Sequence, residues 1–310
     1  MPPPEPLPAA LVGRPFSVTE GRALGIGLAR LRRSDLVAPH WGVRAWSAGV
    51  ALDDRCRALA PALGHGTAFS HLTALALWGL PLPRGHDPAR GPLHVVSPRD
   101  RRVRRPGVVG HTATAARLGP SVDLRGLPVV DPVTAWSQSA ASMTLDDVVT
   151  IADALMGRWS THPQARELDR EVLSSAIRAG GRRRGATTAR SALELAVPNV
   201  WSPRETDLRL LLVRAGITGL SVNEPVHDSD GRLIGYVDVA HLGAKVALEY
   251  QGDHHRTDRF TYRDDIRRRE AFEDAGWRQV QATDDDLGPL ADAFVARVRR
   301  LITERGVEES

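Results

Sequence analysis

Two short β-rich runs, Tyr236-Val-Asp238-Val-Ala and Lys245-Val-Ala-Leu-Glu249-Tyr-Gln251, flank the turn Ala240-His-Leu-Gly243, and this pairing constrains the fold more than any other stretch of the chain. Runs of this kind around a short glycine-containing turn read as a hairpin. Successive side chains on a strand point to opposite faces. Val246, Leu248 and Tyr250 are therefore expected on one face and Lys245, Ala247, Glu249 and Gln251 on the other, with Val237 and Val239 in the core and Asp238 opposite them. The hairpin thus brings two carboxylates, Asp238 and Glu249, to one polar face. A few hard oxygen donors suit Mg²⁺ or Mn²⁺ better than zinc, which favours clusters of His or Cys.

Upstream, Ser202-Pro-Arg-Glu205 opens an apolar helix. Ser with Glu three residues on and Pro in the first turn is a capping box, so Glu205 reads either as a cap or as a third acid of the site. Asp238 and Glu249 have a second reading too, as solvated positions on an exposed strand face. Downstream, adjacent His254 and His255 point in different directions, one suited to packing or a phosphate contact and the other to a general base. Thr261–Ala275 is a charged helix ended by Gly276, Trp277–Thr283 a strand, and Leu287–Ile302 a helix with apolar spacing at Leu290, Phe294, Val298 and Leu301. The order helix, strand, strand, helix, strand, helix builds a small α/β core, with the last strand beside 245–251 and the helix at 261–275 on the apolar face.

Glu205, Asp238 and Glu249-x-Gln251, continued by Gly252-Asp253-His254-His255, Asp264 or Asp265 and Arg267 or Arg268, resemble the PD-(D/E)XK nuclease fold and its very-short-patch-repair (Vsr) branch. The resemblance implies that Asp238 and Glu249 bind Mg²⁺ or Mn²⁺, that Glu205 reaches the metal through water, and that His254 or His255 serves as general base or leaving-group partner. In that family a Lys two residues after the Glu helps place the attacking water. Gln251 stands there in this chain, where the resemblance has it orient that water, though it supplies no positive charge.

Charge is distributed unevenly along the 310 residues. Residues 201–310 carry 16 basic and 21 acidic side chains, a net of −5, which leaves 25 and 16, a net of +9, for residues 1–200. A phosphate-binding surface is expected on the basic part, and the acidic part needs a cation near its site. Of the 41 basic residues only Lys245 is a lysine, a bias that makes arginine number by itself a weak signal. The single cysteine, Cys56, excludes an intramolecular disulfide or a Cys-based metal cluster. No run of about eighteen apolar residues occurs, and Met1-Pro-Pro-Pro-Glu-Pro lacks the charged start and apolar core of a signal peptide. The expectation is a cytoplasmic protein with no membrane partner.

Residues 1–15 read as a loose Pro-rich tail. Ser17-Val-Thr19-Glu starts a capped helix, a second helix follows at Leu28 with Arg30, Arg32 and Arg33, and Trp41–Trp46 reads as a strand. Residues 16–50 therefore read as a winged helix-turn-helix-like module, with those arginines on DNA phosphates or guanine edges or merely on a solvated face. Thr67–Trp78 reads as one buried helix. Arg99, Arg101, Arg102, Arg104 and Arg105 lie between runs at 94–98 and 107–111 and predict a basic hairpin, either tracking a DNA backbone or forming a solvated loop. The Ser70-His71-Leu-Thr73-Ala segment with its Trp-Gly-Leu-Pro ending, through to the helix at Asp146–Asp153, resembles AbiEi-type antitoxins over residues 16 to about 195. That resemblance implies a DNA-binding repressor with a toxin partner.

The expected architecture is α+β or α/β: a winged helix-turn-helix-like module (16–50), a mixed middle domain (51–195), and a restriction-endonuclease-like α/β core (200–310) beyond a boundary at 180–201. The expected function is metal-dependent DNA phosphodiester hydrolysis. Its alternatives are a non-catalytic AbiEi-type regulator with a degenerate nuclease domain and an interaction module without nucleic acid.

Overall fold

A computed structural model describes residues 4–47, 49–251 and 259–306. The protein is a mixed α+β molecule with three sheets. Its contacts divide into two compact units, Met1–Val148 with Arg170–Ser191 and Val149–Asp169 with Ala192–Ser310. No helix among the described residues is long and apolar enough to cross a membrane.

The first unit begins with β1 (Phe16–Ser17), α1 (Val18–Ala23), α2 (Leu28–Leu31) and β2 (Val43–Arg44), the two strands pairing antiparallel. Ser17 caps α1 by accepting the Glu20 amide at 3.0 Å, as its sequence predicts. Leu7, Leu11, Phe16, Leu31 and Leu36 close a small core beneath these elements. There follow α3 (Leu52–Leu59), β3 (Ala68–Phe69), α4 (His71–Leu77), β4 (Leu93–Pro98), β5 (Val108–Ala113), α5 (Ala115–Leu118), β6 (Ser121–Leu124), β7 (Leu127–Val130), α6 (Pro132–Ser139), α7 (Leu145–Met156), which passes into the second unit at Val149, α8 (Arg170–Gly180) and α9 (Ala186–Leu195), which passes into it at Ala192. Strands β5-β4-β3-β7-β6 make a five-stranded mixed sheet.

Two expectations fail in this unit. Thr67–Trp78 is not one helix, because Ala68 and Phe69 pair with Val96 and Val95 and the helix starts only at His71, whose φ is +50°. The arginine run at 99–105 does not cap a hairpin either, because β4 and β5 are parallel, Leu93 opposite Val108. Residues 99–107 therefore return along the sheet. Gly110 makes room for them: a Cβ there would lie 2.0 Å from the Val103 carbonyl oxygen.

The second unit contains α10 (Pro203–Arg214), β8 (Leu220–His227), β9 (Leu233–His241), β10 (Val246–Tyr250), α11 (Arg259–Asp274), β11 (Arg278–Ala282) and α12 (Ala291–Glu304). The sheet order is β11-β10-β9-β8, with β9 antiparallel to β8 and β10, and β10 parallel to β11. The predicted hairpin is present. Its turn begins after His241, whose Nδ1 accepts the Ala244 amide at 3.0 Å, and ends at Lys245, φ +48°.

Both faces of this sheet are covered. Val239, Val246 and Leu248 pack with Leu208 and Leu212 of α10 and with Phe294 and Val298 of α12. Val237, Ala240 and Ala247 pack with Val226 and with Phe272 of α11. Val237 and Val239 thus belong to different cores, and α11 covers the face that includes Ala247 rather than the Val246–Leu248 face. Strand β8, absent from the expected order, supplies Val226 and Asn223, whose φ of +46° interrupts simple alternation.

Candidate functional site

The end of the β9–β10 hairpin holds the predicted acids in the second unit. The ladder pairs Leu248 with Val239, so Glu249 and Asp238 come next on adjacent strands. Oδ2 of Asp238 accepts the Tyr250 amide at 2.8 Å, which ties the carboxylate across the two strands. Glu249 turns to α11, where Arg268 donates to its Oε1 at 3.1 Å and to the Tyr236 carbonyl at 2.8 Å. Gln251 is exposed beyond β10, its amide bonded to the Ala282 carbonyl.

Glu205 is buried and occupied locally. Its backbone amide donates to Ser202 Oγ at 3.2 Å, and its Oε2 accepts the Trp201 amide at 2.8 Å and Asn223 Nδ2 at 2.6 Å. This satisfies orphan donors at the start of α10. Oε2 of Glu205 is thus committed to two protein donors, and its charge acts on Asp238 through space.

Electrostatics separate Asp238 from its neighbours. Withdrawal from water pushes its carboxyl up to about 6, and the Glu205 and Glu249 charges push the same way, against the Tyr250 amide and Arg268. The charged form of Asp238 therefore sits in a place that wants positive charge.

No protein-family model, curated protein or solved structure matches the chain.

Around the acids lie side chains that no motif announced. Trp201 and Tyr236, both partly exposed, meet edge to face at 5.0 Å. Tyr250 donates to Asp284 at 3.0 Å beneath the Arg204 guanidinium. Asn223 stands on β8, which has no clean alternation in the sequence, and Arg268 is distinguished from its neighbouring arginines by the contact it makes with β9 from α11. His254 and His255 lie outside the described residues.

The fit to a hard divalent ion rests on the donor set. Asp238 and Glu249 offer carboxylate oxygens on neighbouring strands, and Asp238 carries an excess of negative charge about it. Glu205, Asp238 and Glu249 are not drawn into a tight three-donor cluster: among the described residues, the group whose three ligand atoms lie within 4.8 Å of one another is His71, His94 and His111, in the first unit.

The proposed DNA-binding arginines divide. Arg30 is buried, donating to the Glu5 carbonyl at 2.6 Å and to both oxygens of Asp35 at 3.1 and 2.8 Å, so it braces the small N-terminal core instead of facing a groove. Helix α2 around it is a single turn. Arg32 is exposed and Arg33 half-buried. Arg101, Arg102 and Arg104 are exposed on the 99–107 segment, while Arg105 holds the Trp41 carbonyl at 2.8 Å.

Proposed function

We propose that the second unit is a Vsr-like, PD-(D/E)XK-type nuclease domain that hydrolyses DNA phosphodiesters with Mg²⁺ or Mn²⁺, and that the basic first unit contributes affinity for DNA. The observation that carries this reading is the carboxylate of Asp238, held by the Tyr250 amide beside Glu249 and made costly to ionise by burial and, beyond that, by like charges. Asp238 and Glu249 would hold the ion, which supplies an acidified water and stabilises charge on the phosphate.

The chain's own residues do the rest. Arg268 places a guanidinium against Glu249 from α11 and so provides the positive charge that Gln251 cannot; a guanidinium suits a phosphate oxygen. Trp201 and Tyr236 offer partly exposed rings beside the acids, and aromatic faces of this kind stack on bases of any sequence. The element order with its added strand β8 remains compatible with the resemblance.

The test is nicking of supercoiled plasmid by the full chain with Mg²⁺ or Mn²⁺, alongside Asp238→Ala and Glu249→Ala. Loss of nicking by at least a hundredfold in both is the expected result, in line with removal of a major electrostatic contribution of about 3 kcal/mol or more. Undiminished nicking in both variants would sink the proposal. The second reading, a metal-independent regulator of the AbiEi type, is favoured by Gln251 in the Lys position. It expects salt-sensitive binding to one DNA site that is unchanged by EDTA.

A further inference from the structure

In the first unit, three imidazoles from three elements converge. His94 on β4 and His111 on β5 share an N···N contact, Nδ1 to Nε2, of 3.0 Å with rings inclined by 19°. The His71 ring, at the start of α4, stacks on His111 at 3.6 Å between centroids. One ligand nitrogen from each of the three lies within 4.8 Å of the others.

Backbone bonds hold this grouping in place. The Ser70 amide donates to the His94 carbonyl at 3.0 Å, and the His94 amide donates to Thr73 Oγ1 at 2.7 Å, so the start of α4 is pinned to β4 from both sides. His71 takes the left-handed φ of +50° that aims it back over the sheet, a conformation uncommon outside glycine. Its Nδ1 lies 3.0 Å from the fully buried Ser70 Oγ. Where Ser70 accepts that N–H, Nε2 is left as the lone-pair donor, the outer-shell arrangement of metal-binding histidines. Burial pushes all three imidazoles downward, helped by the neighbouring rings at His71 and His94 and by Arg102 at His111.

A second observation lies next to the cluster. His71 and His111 line a cavity of about 630 Å³ whose walls include Arg99, Arg102, Arg117, Arg183 and Arg184 and no carboxylate. Nε and Nη2 of Arg183 are buried there without a hydrogen-bond partner. Two buried donors left unmet on a half-buried guanidinium leave a place for an oxyanion.

We propose that His71, His94 and His111 bind one divalent transition-metal ion of the zinc class, and that its open position faces the arginine-lined cavity and takes a phosphate oxyanion. Tetrahedral coordination at about 2.0–2.1 Å separates ligand nitrogens by about 3.3 Å, between the 3.0 Å contact and the 4.8 Å limit seen here. Loading requires both nitrogens that meet at 3.0 Å to present lone pairs, so the imidazole that donates there carries its proton on its other ring nitrogen instead, and the His71 ring tilts out of its stack so that its lone pair converges. A dication among five arginines is disfavoured alone and favoured with an anion beside it, so metal and phosphate raise each other's affinity by the same factor.

The experiment is a Co²⁺ titration of the full chain followed in the visible spectrum, with Asp238→Asn/Glu249→Gln as a background that removes the acidic site. One equivalent should give the intense bands of low-coordinate cobalt in both proteins. His94→Asn and His111→Gln, each checked for folding by circular dichroism, should weaken binding by more than the roughly 10–100-fold that loss of an outer-shell partner produces. Because His111 is only half-buried, His111→Gln decides the matter if His94→Asn unfolds. Inorganic phosphate should shift the bands and tighten Co²⁺ binding, and Arg183→Met should abolish that shift while leaving the bands. Absent bands, or bands indifferent to the histidine changes, overturn the metal site; bands that phosphate leaves unmoved overturn its anionic fourth ligand.

Discussion

Within the second unit, Asp153 and Asp238 are both acids withdrawn from water, and they keep opposite company. Asp153 on α7 has every oxygen answered: Oδ1 accepts the Val197 amide at 2.7 Å, and Oδ2 accepts Thr206 Oγ1 at 2.8 Å and Arg209 at 2.7 Å. Asp238 has the Tyr250 amide, two like charges nearby, and as counter-charge the Arg268 guanidinium that Glu249 already engages. A buried acid with a full set of partners belongs to the architecture. One whose charge is only partly compensated is held ready for something that arrives later.

The strongest way to break this contrast is Asp153→Asn. It leaves the Arg209 guanidinium, only 4% exposed, without its counter-charge, and breaking one side of a buried pair costs about 3–5 kcal/mol. Urea unfolding should show a loss of that size, together with loss of the tie between α7 and α10. A change under about 1 kcal/mol would mean that Asp153 is not structural in the sense argued.

Asp238→Asn should move stability the other way. The folded-state value of about 6 lies above the ordinary carboxylate value of about 3.9. Between those values the folded protein holds a proton that the unfolded chain has released, so stability falls as pH rises from about 4 to about 6 and is flat above. Removing the charge lifts that penalty. In EDTA at pH 7 the variant should gain about 2 kcal/mol over the parent, and the gain should vanish near pH 4. Equal stability across the range would remove the partly compensated charge from the account.

How much of this was legible follows from which interactions are local. The hairpin, the Ser202 and Ser17 caps, and helices α10 and α12 rest on spacing within one or two turns or strands, and all are present. Strand β8 was missed because Leu220–His227 includes Asn, Glu and Pro and carries no clean alternation. Asp153 and Arg209 are 56 positions apart, and nothing near either residue marks the pair. Arg30 looked like a surface cation on a basic helix; only the fold shows Glu5 and Asp35 folding back on it. The histidine cluster spans 40 positions and depends on β4 and β5 running parallel, the reverse of the hairpin that their arginine-rich connection suggested. The acids of the site were readable because β pairing brings near neighbours together, while their charge balance depends on α10 and α11.

The smallest expected effect separates cap from charge at Glu205. Glu205→Ala removes the acceptor of the Trp201 amide and of buried Asn223, for a loss of about 1–2 kcal/mol. Glu205→Gln keeps an acceptor oxygen in place and removes only the charge. Its stability should stay within about 0.5 kcal/mol of the parent, a size ordinary for changes that break no named interaction. It should also lower the pH at which the Asp238 carboxyl titrates in NMR, because one of the two charges opposing ionisation is gone. A Glu205→Gln/Asp238→Asn pair should then stabilise by less than the sum of the single changes, since neighbours in one charge cluster do not add. Strict additivity would place Glu205 in the cap alone and leave Glu249 as the carboxylate that sets the charge of the site.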